Sequence, residues 1–95
     1  MTEGVIIAEQ TYTANIEVQN LPDIQHKAFN SFSYRYLNAS TIEVILFAEE
    51  SRDDARVTLF SASASRDEGG YKICGFLQGE PGKIVKIKMV NITSI

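Results

Sequence analysis

Hydrophobic and polar residues alternate with a period of two over much of this chain. From Ile6 to Val18 the even-numbered positions are mainly apolar, whereas the odd-numbered positions from Glu9 onward are polar. This alternation predicts a long or bent strand with one face buried and the other in water. Gln10 is the polar exception on the buried face, so we expect a bend or bulge there.

Four later segments also have strand patterns. Thr41 to Ala48 is rich in β-branched residues and apolar on both faces after Glu43, which predicts a central strand. The other three segments cover residues 55–65, 71–77 and 84–92, and runs of turn-forming residues at 50–54, 66–70 and 78–83 separate the strands. Strands joined by such short connections predict an antiparallel meander.

The segment from Leu21 to Asn38 is ambiguous. Pro22 and Asp23 can open a helix, but the aromatic residues further along alternate as they would in a strand. We favour a short helix over residues 22–29 followed by a strand over residues 31–37. The predicted fold is then mainly β, an antiparallel meander forming a small sandwich or barrel with one short helix. The alternative is an α+β fold with one helix over residues 22–37 on a five-stranded antiparallel sheet.

Length and composition indicate one β-rich domain over residues 1–95. The chain is 44% hydrophobic, which is enough for one core, and its formal net charge is −3, which disfavours nucleic acid as a main partner. The single cysteine, Cys74, lies between apolar neighbours, so we expect a buried, inert thiol and a reducing compartment. With no signal-peptide pattern and no apolar stretch long enough to span a bilayer, we expect a cytoplasmic or intracellular protein that is not secreted.

Candidate catalytic chemistry is sparse. Glu49, Glu50, Asp53 and Asp54 place four carboxylates in six residues, but their spacing fits a solvated hairpin tip better than a cation site. His26 is the only histidine, and no nucleophile motif accompanies it. We therefore predict no enzymatic activity, no cofactor and no metal.

Several residues suit an interaction surface. The Ser-Ala run at 61–65 offers small side chains that another chain can approach closely, and lysines alternate along the last strand. Such lysines are also a common protection of an exposed sheet edge. The candidate surface residues are Ser61, Ser63, Ser65, Lys86, Lys88, Tyr34, Arg35 and Tyr36.

The sequence is compatible with three functions. The first is a non-enzymatic protein-interaction or structural protein that self-associates or binds a protein partner, as a small viral or accessory component would. The second is a small-ligand-binding β-barrel whose cavity is lined by Tyr12, Phe32, Tyr34 and Tyr36. The third is an OB-like module for single-stranded nucleic acid, in which aromatic residues stack bases beside a basic stripe. That stripe would comprise Lys72, Lys83, Lys86 and Lys88.

Overall fold

Six antiparallel strands form one closed barrel in the computed structural model, which describes residues 8–24, 28–48 and 53–94. Each strand pairs with the next along the chain, and the last strand pairs with the first. The predicted mainly β fold with an antiparallel meander is confirmed, and the meander closes into a barrel. The strands are β1 (Tyr12–Gln19), β2 (Ser31–Asn38), β3 (Thr41–Ala48), β4 (Asp53–Asp67), β5 (Gly70–Phe76) and β6 (Ile84–Ser94).

Period-two alternation in the sequence decides which side chains fill the barrel. In β5, for example, Tyr71, Ile73 and Gly75 are buried, and the residues between them are only partly covered. A barrel of this size has an interior that side chains can fill completely. The largest fully buried side chains are Phe32, Ile42, Val44, Leu46, Leu59, Ile73, Val85, Ile87 and Met89.

Irregularities in three ladders allow the sheet to curve. The β4–β5 register shifts between Phe60 and Ser63, where Ser61 has a φ of 48°. The β1–β6 register shifts next to Asn91, whose φ is 55°. A third shift lies in the β2–β3 ladder after Tyr36. Bulges of this kind bend strands and increase their twist, which is what closure of a small barrel requires.

The β1–β2 seam is the shortest ladder of the barrel. Its residue pairs are Tyr12 with Phe32 and Thr13 with Ser31, whereas each of the other five ladders contains six or seven pairs. The connection between the two strands brings the buried side chains Leu21 and Phe29 into the core. The sheet therefore joins β1 and β2 only where each strand begins. The connection before β2 adds buried side chains to the core.

Four expectations for the N-terminal half are changed. In the described part of residues 22–29, Pro22 to Ile24 form a turn and the residues from 28 are irregular, so the predicted short helix is not found there. The alternative of a helix over residues 22–37 is wrong, because β2 occupies its second half. The bend expected at Gln10 is a turn at Ala8 and Glu9, where Glu9 has a φ of 70°. The strand predicted from residue 6 begins at Tyr12, and residues 6 and 7 lie outside the described part.

Candidate interaction surface

Strand register brings small, basic and apolar side chains together on the outside of β4, β5 and β6. Residues directly opposite each other on neighbouring strands share a face, so each ladder pair extends a row across the sheet. We call this surface the β4–β6 face. Its three rows are Ser65, Lys72 and Lys88; Ser63, Cys74 and Lys86; and Phe60, Phe76 and Ile84.

The bulge in β4 decides that the serines belong to this face. Before the bulge Val57 and Leu59 are buried in the barrel, and after it Ala62 and Ala64 pack against the core. The side chains between these alanines therefore face outward. Because alanine and serine are both small, their alternation alone could not show which set is inside.

Gly75 allows β4 to approach β5 closely beside this bulge. A Cβ atom at Gly75 would lie 2.7 Å from Leu59 Cβ, 2.9 Å from the Phe60 carbonyl oxygen and 3.1 Å from Ala62 Cβ. Glycine is the residue that admits such an approach of two backbones. The close contact fixes the position of the serine-bearing part of β4 against β5.

Three lysines give the β4–β6 face a positive charge. Lys72 and Lys88 are directly opposite each other, and Lys86 is the next outward residue on β6. Like charges directly opposite on adjacent strands destabilise a sheet by a few tenths of a kcal/mol, up to about 1 kcal/mol. Glu17 of β1 lies opposite Lys88 on its other side. Lys88 thus lies between a like charge on β5 and the carboxylate-bearing Glu17 on β1.

The charge of the face contrasts with that of the whole chain. The chain has nine basic and twelve acidic residues. Without the three lysines of the face, six basic residues remain against twelve acidic ones, so the remainder carries a formal charge of −6. The face therefore carries three of the nine basic residues of a chain that is acidic overall.

An apolar row borders the lysines. Phe60 and Phe76 are half-buried on the outside of the barrel, and Ile84 is 45% exposed. Protein interfaces combine an apolar centre with a polar rim and are depleted in charge at the centre. The row of apolar side chains next to serine and lysine rows has this composition.

Of the other predicted surface residues, Ser61 is exposed at the bulge of β4, and the remaining three lie on β2, outside this face. Tyr34 is buried, and its hydroxyl group is 3.1 Å from that of Tyr71. Burial, with the hydrogen bond to Tyr71 as the second cause, raises the pKa of Tyr34. Its assignment to an exposed surface is therefore wrong. Arg35 is exposed and donates from Nε to Glu43 Oε1 at 2.8 Å, and Tyr36 is 49% exposed with its ring edge-on to Tyr34.

Part of the face carries only a weak signal in the sequence. Cys74 was predicted to be buried, but it is half-buried on the outside of β5, and Phe60, Phe76 and Ile84 were not assigned to a surface. In the segment from residue 71 to 77 both alternating sets are largely apolar. Lys72 is the signal that could have identified the outward set, because a lysine is rarely turned into a core.

Of the four aromatic residues expected to line a ligand cavity, Tyr12, Phe32 and Tyr34 pack in the core instead, and Tyr36 is exposed. The rings of Tyr12 and Phe32 stack with their centroids 5.6 Å apart, and Tyr34 packs 6.1 Å from Tyr71. Two grooves have volumes of about 300 Å³ and 220 Å³. The first is lined by Asn15, Ile16, Glu17, Lys88 and Val90, and the second by Glu9, Ser33, Tyr34, Arg35, Ile45 and Arg56. Both linings include outward-facing residues, so the grooves open on the barrel surface.

Other expected features are only partly visible. Residues 49–52 of the acidic cluster and His26 lie outside the described part of the chain. Among the residues that are described, no group of histidine, cysteine or carboxylate side chains is arranged to hold a metal ion. No helix within the same ranges is long and apolar enough to cross a membrane.

Comparison with known proteins gave no relative. The sequence matches no protein-family model, and searches of curated proteins and of solved structures found no significant match.

Proposed function

We propose that this protein is a non-enzymatic assembly module whose copies associate through the β4–β6 face. The observation that supports this most strongly is the apolar row beside the small serines, on the outside of a barrel whose interior holds a cluster of large buried side chains. A closed, filled barrel binds macromolecules with its outer surface rather than with its core. The apolar row then supplies the centre of the contact, and the serines let another chain come close.

Closure of the barrel favours a binding role for the lysines of the β4–β6 face. On an exposed edge strand, Lys86 and Lys88 would be explained as protection against edge-to-edge aggregation. In this fold β6 pairs with β5 on one side and with β1 on the other. Edge protection is therefore not needed along this part of β6, and a role in binding is the better explanation of the lysines.

The two other hypotheses have less support. A ligand-binding barrel needs internal space, but Tyr12, Phe32 and Tyr34 are buried in contact with one another or with other core residues. A single-strand-binding surface needs exposed aromatic rings next to the basic residues. Phe60 and Phe76 border the lysines but are only half-exposed, and the more exposed ring of Tyr36 is on β2.

Sedimentation velocity of the purified chain tests the proposal. We expect a mass above the 10.6 kDa of one chain, rising with concentration. Ile84→Glu should weaken this association, because it places a charge in the apolar row. Leu37→Glu is the matched control, since Leu37 is 47% exposed, close to the 45% of Ile84, but is carried by β2.

The two variants separate a specific contact from general stickiness. Loss of association in Ile84→Glu alone supports the proposal. Equal loss in both variants, or a wild-type chain that stays at 10.6 kDa at the highest soluble concentration, would overturn it. Far-UV circular dichroism of each variant checks that the barrel is intact.

A further inference from the structure

We infer that the β4–β6 face packs against the same face of a second copy, about a two-fold axis that runs along its apolar row. This inference rests on the proposed self-association and specifies how the two copies are oriented. The occupant is a second copy of this chain. The argument for it is that this contact joins apolar side chains to apolar side chains and lysines to a carboxylate.

An axis along the apolar row places that row against its own equivalent. In a two-fold contact the same patch lies on both sides of the interface, and residues on the axis meet their own copies. Phe60, Phe76 and Ile84 form one row across β4, β5 and β6, so they would make the apolar centre of the contact. Apolar side chains at the centre and charges towards the rim are the usual arrangement of a protein interface.

The same axis keeps the lysines of the two copies apart. Lys86 lies two residues from Ile84, and Lys72 lies four residues from Phe76, both on the same side of the row. At about 3.4 Å per residue these separations are ~7 Å and ~14 Å. Rotation about the row moves the equivalent lysines to its other side, so they are ~14 Å and ~27 Å apart, which exceeds the Debye length of ~8 Å at physiological ionic strength.

The turn between β5 and β6 supplies the surface opposite these lysines. Its backbone is held by hydrogen bonds from Glu80 N to the Leu77 carbonyl oxygen and from Lys83 N to the Glu80 carbonyl oxygen, at 3.0 and 3.1 Å. Glu80 is exposed and lies four residues after Phe76, whereas Lys72 lies four residues before it. Rotation about the row therefore brings Lys72 of each copy over the turn that carries Glu80 of the other, where their opposite charges attract.

Two other lysines do not oppose this contact. Lys83 belongs to the same turn, but it shares the alternating set of the inward residue Val85 and not that of the apolar row. Lys88 lies opposite Glu17 of β1, and the contact does not depend on its charge. The orientation therefore depends on the apolar row and on the two symmetric lysine–glutamate pairs.

Exchange of the paired charges tests this orientation. Lys72→Glu and Glu80→Lys each place like charges in both symmetric pairs, so each should raise the dissociation constant of the dimer roughly threefold to thirtyfold. Lys72→Glu/Glu80→Lys restores opposite charges and should return the constant to near its wild-type value. Within one chain the two residues lie on opposite sides of the apolar row, so this rescue reports a contact between copies.

Lys72→Glu/Glu9→Lys is the matched control. Its formal net charge is −3, as in the wild type and in the exchanged variant. Its new lysine lies beside β2, because Glu9 donates from its backbone N to the Tyr34 carbonyl oxygen, and β2 is on the opposite side of the barrel from β5. We expect this control to associate as weakly as Lys72→Glu alone. Sedimentation equilibrium measures each variant, and the wild-type mass should reach a plateau at twice 10.6 kDa, because a two-fold contact closes.

The outcomes separate this inference from the proposal on which it rests. Rescue by Lys72→Glu/Glu80→Lys but not by the control, with a plateau at the mass of a dimer, supports the two-fold contact. Equal association of these two variants, or an average mass that keeps rising past the dimer, overturns the inference. Assembly through the face then stands if Ile84→Glu still weakens association. A chain that remains monomeric under all conditions overturns both.

Discussion

Replacement of Gly75 by alanine tests the close approach of β4 and β5. The added Cβ would lie 2.7 Å from Leu59 Cβ and 2.9 Å from the Phe60 carbonyl oxygen, whereas ordinary contacts begin near 3.4 Å. One of these neighbours is backbone and neither is the end of a flexible side chain, so β4 itself must shift. Overpacking of this kind costs about 1–3 kcal/mol. Alanine also restricts the unfolded chain, which offsets about 0.4–1 kcal/mol of the cost.

Gly82→Ala is the matched control for this substitution. A Cβ atom at Gly82 has no neighbour within 4 Å, and Gly82 does not have the positive φ of Gly79. Alanine at position 82 therefore reduces the conformational entropy of the unfolded chain as it does at position 75, but without a clash in the folded state. The difference in free energy of unfolding between the two variants should be about 1–3 kcal/mol, which isolates the cost of the clash.

Urea denaturation followed by circular dichroism measures this difference. For a domain of this size a change of 1 kcal/mol corresponds to a shift of roughly 4–8 °C in Tm, so thermal melts give a second estimate. We expect Gly75→Ala to melt well below Gly82→Ala. Equal stability of the two variants would mean that β4 and β5 are not in close contact at the bulge, and the position of the serines on the β4–β6 face would lose its support.

Three further predictions concern the core, the buried tyrosine pair and the ion pair on β2. Leu46→Ala, at a site with no exposed surface, should lower the free energy of unfolding in urea by about 2–5 kcal/mol, and a cost below about 1 kcal/mol would contradict the filled interior. Because burial and the hydrogen bond with Tyr71 raise the pKa of Tyr34 from its usual 10.0, its contribution to stability is complete below about pH 10 and is lost as the pH rises further. Denaturation measured from about pH 8 to 11 should show a smaller alkaline decline in Tyr34→Phe than in the wild type, and equal declines would argue against the pair. A double-mutant cycle with Arg35→Ala and Glu43→Ala should give a coupling of about 0.2–1 kcal/mol that shrinks in high salt, since the Arg35 side chain is 50% exposed; a coupling that does not respond to salt would contradict this.

The sequence alone predicts most of the strands, because local alternation determines them. In β1 and β6 one alternating set is polar, so Val18 and Ile87 are identified as inward residues by pattern alone. The turn chemistry between strands likewise predicts the meander. Such features depend only on residues close together in the chain.

Other features depend on contacts between distant residues and leave no local signal. The pairing of β1 with β6 closes the barrel, but it joins residues more than 60 positions apart, such as Val18 and Ile87. The turn at Pro22 was mistaken for the start of a helix because proline at the first helical position and proline in a turn have the same local signature.

The candidate surface was predicted only in part for the same reason. Ser63 and Lys86 were both identified from the sequence, but their strands are not adjacent. They lie in one row because each pairs with Cys74 of β5, from opposite sides. Tyr34 and Tyr36 look alike in the sequence and belong to the same alternating set. They differ because Tyr34 is in the middle of β2, where the core covers it, whereas Tyr36 lies near the end of the strand.

A disulfide test of strand register examines the basis of the β4–β6 face most directly. Cys74 is the only cysteine and lies directly opposite Lys86, so Lys86→Cys places two thiols at a separation that a disulfide can bridge. In Lys88→Cys the second thiol is displaced diagonally along β6, to a Cα separation of about 7–8 Å, beyond the usual reach of a disulfide. Under mild oxidation at low protein concentration, we expect an intramolecular disulfide in Lys86→Cys and free thiols in Lys88→Cys, as measured by thiol labelling and mass spectrometry. The reverse result would show that β5 and β6 pair in another register and that the serine, lysine and apolar rows do not form one face.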